Sequence, residues 1–201
     1  MIALIDYGIG NLRSVEKALM AVGCQVRLTS QTSEILSADR VVLPGVGAFG
    51  DGMQGLRQRG LVEAIGAVVE ARKPLLGICL GMQLLFEVSY ELGVHPGLGL
   101  LPGEVRRFES NDLKVPQTGW NQIRPRRESR LLNGLAPNSY AYFNHSYYCQ
   151  PANPGDILAS SEYGVDYASV VGRDGLYGVQ FHPEKSQAVG LQILRNFVER
   201  C

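Results

Sequence analysis

The sequence lacks an excess of charge of either sign and lacks a long hydrophobic run. Lys plus Arg and Asp plus Glu number 19 each among 201 residues, whereas a sequence-independent nucleic-acid binder needs a basic face. No segment approaches the ~20 apolar residues of a membrane span. Asp6 directly follows the short apolar run Ile2–Ile5, where a signal peptide would continue. We therefore expect no nucleic-acid partner and no membrane.

Cysteine and histidine are also scarce. The four cysteines show no C-x-x-C spacing, which predicts free thiols in a reduced, cytoplasmic protein. The three histidines show no usual zinc-ligand spacing with any cysteine. A site of Cys79, His182 and Glu184, or of His145 with Cys149, would be the rival metal interpretation. We expect no metal and no cofactor.

The first half of the chain alternates between two hydrophobic periods. Apolar runs at Ile2–Ile5, around Val26, at Arg40–Leu43 and at Leu75–Ile78 alternate with amphipathic helical patterns, and residues 82–91 continue as a helix. Such alternation is typical of βαβ units that form a parallel sheet with both faces covered.

The second half has short strands rich in β-branched and aromatic residues. Asp174 and Gly175 separate two apolar runs, a signal for a hairpin, and a last helix is predicted around 187–198. The sequence thus predicts one domain, residues 1–201, of the α/β class. It has a mostly parallel open sheet flanked by helices and an antiparallel β-rich portion from the second half. Ligands of such a sheet bind beyond the carboxyl ends of the parallel strands.

Cys79 lies at one of those strand ends, inside "GICLG". This pattern is the cysteine counterpart of the G-x-S-x-G elbow, in which a strained turn exposes a nucleophile. The following helix N-terminus favours thiolate over thiol, and the Leu80 amide is a natural oxyanion donor. The alternative is a small apolar core residue, the usual role of a free cysteine.

A cysteine nucleophile needs a base. His95 lies in a predicted loop, and His145 lies in an aromatic strand where packing explains it. His182 ends an apolar strand, and Pro183 keeps it extended. In an extended chain His182 and Glu184 project from the same side, so the carboxylate can orient the imidazole for the thiol. We therefore predict a catalytic triad of Cys79, His182 and Glu184.

The segment Gly45–Gly50 matches the dinucleotide fingerprint G-x-G-x-x-G. Pro44 precedes it, it follows the third predicted strand rather than the first, and no acidic residue ends a strand about 20 residues later. We favour instead a glycine loop whose backbone amides approach an oxyanion opposite Cys79.

These motifs together resemble the triad class of glutamine amidotransferases. "GICLGMQLLFE", "FHPEKS" and "PGVGAFGDGM" carry the resemblance. With "IDYGIGNLRSVEKAL" and "GWN" at 119–121, the chain is similar to the glutaminase subunits of imidazole glycerol phosphate synthase.

The resemblance implies that glutamine is hydrolysed through a γ-glutamyl thioester on Cys79. It assigns proton transfer to His182 and orientation of that ring to Glu184, and it implies an oxyanion hole formed by Gly47 with Leu80. The implied substrate contacts are Gln83, Ser146 and Tyr147.

The resemblance also implies a partner. The ammonia passes to a (β/α)8-barrel cyclase subunit in a heterodimer, which makes imidazole glycerol phosphate and an aminoimidazole carboxamide ribotide for histidine synthesis. The residues it places near that interface are Asn11, Tyr142 and Lys185.

Simpler interpretations remain for these residues. Asn11 also suits the N-cap of the helix at Leu12, Lys185 is an ordinary exposed lysine, and Tyr142 suits packing in its strand. Trp120 is either a core aromatic or an interface anchor. For the whole chain, the alternatives are a stand-alone cysteine amidase or peptidase of related fold, a binding or regulatory module, and a dinucleotide-binding oxidoreductase.

Overall fold

A computed structural model describes residues 1–109 and 113–201. The strands in this part of the chain are β1 (Ile2–Ile5), β2 (Val26–Thr29), β3 (Arg40–Leu43), β4 (Leu75–Ile78), β5 (Phe86–Ser89), β6 (His95–Pro96), β7 (Leu101–Arg107), β8 (Gln117–Gln122), β9 (Arg124–Pro125), β10 (Tyr140–His145), β11 (Tyr147–Pro151), β12 (Ile157–Glu162), β13 (Asp166–Arg173) and β14 (Leu176–Val179). The α-helices are α1 (Leu12–Ala21), α2 (Thr32–Ser37), α3 (Phe49–Gln58), α4 (Leu61–Glu70), α5 (Leu80–Leu84) and α6 (Gln187–Arg200).

The parallel part of the sheet runs in the order β2-β1-β3-β4-β14. Strands β1 and β4 are buried at every position, as expected for parallel strands covered on both faces. Successive residues of β1 join different cores: Ala3 packs with α3 and α4, whereas Leu4 packs with α1 and α6. The predicted α/β class is confirmed.

Strand β14 joins the parallel sheet to the antiparallel second half. It pairs in parallel with β4 and antiparallel with β13. The turn between β13 and β14 has φ of 49° at Asp174 and 88° at Gly175, the positive values that a two-residue hairpin turn requires. Beyond β13 the sheet continues through β11, β7, β5 and β6, and β8 pairs separately with β10. The antiparallel portion predicted for the second half is confirmed, and it is continuous with the parallel sheet.

The predicted helix over residues 82–91 is wrong beyond Leu84. Helix α5 ends at Leu84, and Phe86–Ser89 forms β5, which pairs with β7. The chain leaves the helix because Leu98 donates its N–H to the Leu84 carbonyl at 2.9 Å, so a distant segment replaces the helical partner. Helices α2 and α3 were not predicted from the sequence.

None of the helices in the described part of the chain combines the length and the apolar character needed to cross a membrane.

Candidate active site

Cys79 lies directly after β4, in the sharp turn that leads into α5. Its φ of 54° and ψ of −110° lie outside the regions that a side chain tolerates easily. The flanking glycines are sterically required: a Cβ on Gly81 would lie 1.8 Å from the Leu43 carbonyl oxygen, and one on Gly77 would lie 2.6 Å from the Gly81 oxygen. The glycines therefore allow the backbone to crowd around a strained cysteine, as the elbow motif predicts.

Strand pairing brings His182 beside Cys79. Ile78 is in register with Val179 across β4 and β14, and the Cys79 N–H donates to the Val179 carbonyl at 2.8 Å. Residues 180–182 continue beyond β14 along this edge. The His182 N–H donates to the Tyr142 carbonyl at 2.9 Å, so the backbone of His182 is also tied to β10.

Ser186 also holds the backbone of His182 in place, a role that was not predicted from the sequence. Its hydroxyl donates to the His182 carbonyl at 2.6 Å and accepts from the Tyr142 N–H at 2.9 Å. Both bonds are made by a fully buried side chain, which fixes the turn that carries the histidine. A buried serine four residues after the histidine is the available sequence signal.

The His182 ring lies between a carboxylate and a thiol. Its Nδ1 is 3.0 Å from Glu184 Oε1, and both side chains are buried. The ring also makes a side-chain hydrogen bond with Cys79. Burial lowers the pKa of His182, but its hydrogen bonds and charge interactions with Cys79 and Glu184 outweigh burial and raise the pKa well above its usual value. The arrangement therefore favours an imidazolium.

The backbone at this point differs from the sequence prediction. Only His182 is extended, with φ −96° and ψ 96°, whereas Pro183–Lys185 form a 3-10 turn. The assumed two-residue alternation is therefore wrong, and the tight turn instead folds the Glu184 carboxylate back to the ring. Glu184 Oε2 is buried and has no hydrogen-bond partner in the part of the chain that the structure describes.

The loop Gly45–Gly47 lies opposite α5, but the Leu80 amide is occupied. The Leu80 N–H, which the sequence predicts as a donor to the oxyanion, instead donates to the Gly45 carbonyl at 3.3 Å. Tyr7 anchors the start of the loop, because its buried hydroxyl donates to the Pro44 carbonyl at 2.7 Å. Gly47 is exposed, with φ of 99°. An oxyanion can use the Leu80 amide only after the Gly45 carbonyl has moved away.

Gln83, in α5, connects the elbow to β11. Its Nε2 donates to the Tyr147 carbonyl at 2.9 Å and to Gln180 Oε1 at 3.1 Å. Gln180 Nε2 in turn lies 3.8 Å from Cys79 Sγ. Ser146 lies between β10 and β11, and its carbonyl accepts from the Phe108 N–H at 3.0 Å. Gln180 belongs to the apolar segment that His182 ends, and its position beside the sulfur was not predicted from the sequence.

The other two histidines lie outside the sulfur–imidazole–carboxylate series. His145 is buried among aromatic rings that include Phe108, Phe143 and Tyr167, in agreement with the packing interpretation. Its Nδ1–H donates to the Tyr147 carbonyl at 2.7 Å. His95 was predicted in a loop and is instead in the short strand β6, half-buried and paired with Ser89.

An aromatic and basic surface adjoins His182. The Lys185 ammonium lies 5.6 Å from the centre of the Tyr142 ring, and Trp120 meets the same ring edge-on at 6.2 Å. Trp120 is half-exposed, which excludes the core interpretation. Asn11 holds the N-cap position of α1, but its side chain makes no capping hydrogen bond and is exposed.

Within the described residues, no three side chains of His, Cys, Asp or Glu cluster in a way that would hold a metal ion.

Comparison with known proteins identifies the class. Residues 3–201 match the family described as glutamine amidotransferase class-I, and the chain belongs to that family. A crystal structure of a glutamine amidotransferase superposes with a TM-score of 0.76 at 20% identity, covering 99% of this chain and 98% of that one. At this identity the superposition speaks for the fold alone.

Within this family the chain is similar to particular curated proteins. It is 48% identical to the imidazole glycerol phosphate synthase subunit HisH of Geobacter metallireducens, over 98% of this chain and 96% of that protein. It is 52% identical to the HisH subunit of Moorella thermoacetica, over 98% and 94% respectively. The predicted resemblance is confirmed.

Proposed function

We propose that the chain is the glutaminase subunit of an imidazole glycerol phosphate synthase, and that it hydrolyses glutamine through a thioester on Cys79. The observation that carries the proposal is the buried series of Cys79, His182 and Glu184 at a strained elbow. The similarity to HisH subunits along nearly the whole chain supports the same function.

The chemistry follows from the order of the three groups. The Cys79 sulfur attacks the γ-carbonyl carbon of glutamine, and the carbonyl π electrons move onto oxygen. His182 then gives a proton to the departing nitrogen, so ammonia leaves and a γ-glutamyl thioester remains. The imidazole next takes a proton from water, which attacks the thioester, and glutamate and the free sulfur are released. Glu184 holds the ring through Nδ1 and stabilises the imidazolium.

We assign the oxyanion hole to the amides of Leu80 and Gly47. The Leu80 N–H donates to the Gly45 carbonyl at present, so the loop must exchange that carbonyl for the substrate oxygen. One such donor lowers the activation barrier by roughly 3 kcal/mol. A loop that must rearrange supports a glutaminase that depends on its partner, rather than a stand-alone amidase or peptidase, which needs a preformed donor.

We assign the glutamine site to Gln83 and to the backbone of Ser146 and Tyr147. The Gln83 amide already bonds to the Tyr147 carbonyl at 2.9 Å, which fixes one edge of this site next to the sulfur. These contacts support a substrate held between α5 and the start of β11.

We propose that the ammonia passes to a (β/α)8-barrel cyclase in a heterodimer, which forms imidazole glycerol phosphate and an aminoimidazole carboxamide ribotide. Asn11, Tyr142 and Lys185 would lie at that interface. The exposed Trp120 and the Lys185–Tyr142 pair support this assignment, because such aromatic groups are typical interface anchors. Four free cysteines support a reduced, cytoplasmic location.

Cys79→Ala tests the proposed function. In complex with the cyclase, we expect this variant to lose glutamine-dependent synthesis and to retain synthesis from added ammonium salt, because only ammonia production needs the sulfur. Glutamate release and product formation are the measurements. Unchanged glutamine-dependent turnover contradicts the proposal, and full glutaminase activity of the wild-type chain without a cyclase would favour the stand-alone hydrolase.

A further inference from the structure

The side-chain amide of Gln180 contacts the sulfur of the proposed nucleophile. Gln180 follows Val179, whose register partner is Ile78, so Gln180 and Cys79 leave adjacent strands side by side. The Gln180 side chain is fully buried, and its Nε2 lies 3.8 Å from Cys79 Sγ. The register of the two strands therefore places the N–H donor of Gln180 beside the Cys79 sulfur.

Gln83 determines which end of the Gln180 amide faces the sulfur. Gln83 Nε2 donates to Gln180 Oε1 at 3.1 Å and to the Tyr147 carbonyl at 2.9 Å. The opposite orientation of the Gln180 amide would place two NH2 groups against each other and an oxygen lone pair against the sulfur. The nitrogen is therefore held toward Cys79.

The other groups around the sulfur differ in what they donate. His182 makes a hydrogen bond with Cys79, whereas burial and the nearby Cys79 raise the pKa values of the Tyr7 hydroxyl and the Cys149 thiol, so both remain uncharged. The Tyr7 hydroxyl gives its proton to the Pro44 carbonyl at 2.7 Å, and the Cys149 thiol is buried in the core. A thiolate at this position gains from each N–H donor, because buried charge-assisted hydrogen bonds are stronger than neutral ones.

We propose that Gln180 is a second hydrogen-bond donor to the Cys79 sulfur, oriented by Gln83, and that it stabilises the thiolate both before attack and when the thioester is broken. This deepens the proposed function and rests on it for the catalytic role of the sulfur. The bond itself is independent of glutamine and of the cyclase.

Gln180→Met tests this bond, because methionine has a similar length and no donor. The measurement is the rate of Cys79 alkylation by iodoacetamide across a pH series, followed by mass spectrometry of the Cys79 peptide. We expect the midpoint of the profile to move to higher pH and the rate at neutral pH to fall about tenfold. An unshifted profile with an unchanged rate overturns the proposal.

The matched control is Gln117→Met. Gln117 is also buried, and its amide oxygen accepts from the Tyr167 hydroxyl at 2.9 Å, so this variant removes a buried glutamine elsewhere. We expect its alkylation profile to match the wild type. An equal shift in both variants would mean that general loosening, rather than the Gln180 donor, causes the effect, and would also overturn the proposal.

Two further variants sharpen the test. Gln180→Glu keeps the side-chain shape but replaces the donor with a carboxylate, so its midpoint should move at least as far as that of Gln180→Met. Gln83→Met should shift the midpoint in the same direction, and the Gln83→Met, Gln180→Met double variant should shift it no further than Gln180→Met alone. Additive shifts would contradict orientation by Gln83.

Kinetics separate this inference from the proposed function. With the cyclase present, Gln180→Met should lower kcat for glutamine hydrolysis about tenfold and change KM much less, because Gln180 contacts the sulfur directly and reaches the proposed substrate site only through Gln83. A wild-type chain that hydrolyses no glutamine would refute the proposed function. The alkylation profiles would still show whether Gln180 donates a hydrogen bond to the Cys79 sulfur.

Discussion

The two buried histidines of this protein have opposite properties although they are almost equally inaccessible. His182 is 4% exposed and His145 is 6% exposed. Burial lowers the pKa of both rings, but Cys79 and Glu184 reverse this effect at His182 and raise its pKa to about 10. At His145 the Tyr147 carbonyl only partly opposes burial, and the pKa falls to about 4.

The difference shows that the partners of a buried ring, rather than its burial, decide what it can do. A carboxylate on Nδ1 and a thiol beside the ring make His182 a carrier of protons. At His145 a single backbone acceptor does not outweigh burial, so the ring stays neutral, and among the described residues its buried Nε2 has no hydrogen-bond partner. His145 therefore holds the Tyr147 carbonyl in place and does not titrate near neutral pH.

The largest expected effect comes from His182→Asn. Without the ring, neither the leaving nitrogen nor the attacking water has a proton partner, so kcat for glutamine hydrolysis should fall on the order of 10⁵-fold or more. Glutamate release in complex with the cyclase is the measurement, and far-UV circular dichroism checks the fold. A fall in kcat of less than tenfold would mean that His182 acts only as a packing residue.

Glu184→Gln should have the next largest effect. The amide keeps the side-chain shape but no longer stabilises the imidazolium or selects the tautomer with a proton on Nδ1, so kcat should fall roughly 10³- to 10⁴-fold. The same variant should lower the pKa of His182, measured by NMR titration of the ring. If the pKa of His182 does not change, the carboxylate is not its partner.

His145→Phe should change the acid stability of the fold. In the unfolded chain the histidine binds a proton below about pH 6.5, whereas in the folded chain it does so only near its lowered pKa of about 4. The unfolded state therefore binds more protons between these values, and the folded state loses stability as pH falls through them. This loss is roughly 3 kcal/mol.

Phenylalanine cannot titrate, so the free energy of unfolding of His145→Phe should depend less on pH between 6.5 and 4 than that of the wild type. Urea unfolding at a series of pH values is the measurement. If the free energy of unfolding depends on pH in the same way in both proteins, the pKa of His145 is not lowered in the folded chain. The two buried histidines would then not have opposite pKa shifts.

The smallest expected effect is that of His145→Phe on catalysis. Loss of the bond to the Tyr147 carbonyl loosens one edge of the proposed glutamine site, so KM should rise about fivefold with kcat nearly unchanged. Steady-state kinetics with the cyclase measure both constants. A fall in kcat that matches the His182→Asn value would assign His145 to the chemistry itself.

Local patterns explain why much of the fold was predictable. Short uninterrupted apolar runs such as Ile2–Ile5 and Leu75–Ile78 are typical of parallel strands that are covered on both faces, and Asp174 with Gly175 permits a turn that few other pairs allow. The elbow at Cys79 was predictable for the same reason, since its glycines are required within a few residues of the strained position.

The sequence prediction failed where distant segments decide the local structure. Residues 82–91 have helical periodicity, but pairing with β7 makes Phe86–Ser89 a strand. The bond between the Leu80 amide and the Gly45 carbonyl depends on how two loops meet. Contact between Gln180 and Cys79 depends on the register of β4 against β14, which no local pattern specifies, although a glutamine in an apolar strand two residues before His182 was a usable signal.

Reaction with a diazo-ketone analogue of glutamine tests most directly whether sulfur, imidazole and carboxylate act together at the elbow. The account predicts one label per chain, on Cys79, formed more slowly when free glutamine competes and much more slowly in His182→Asn. Labels spread over Cys24 and Cys201, or a Cys79 label that neither glutamine nor His182→Asn affects, would contradict it.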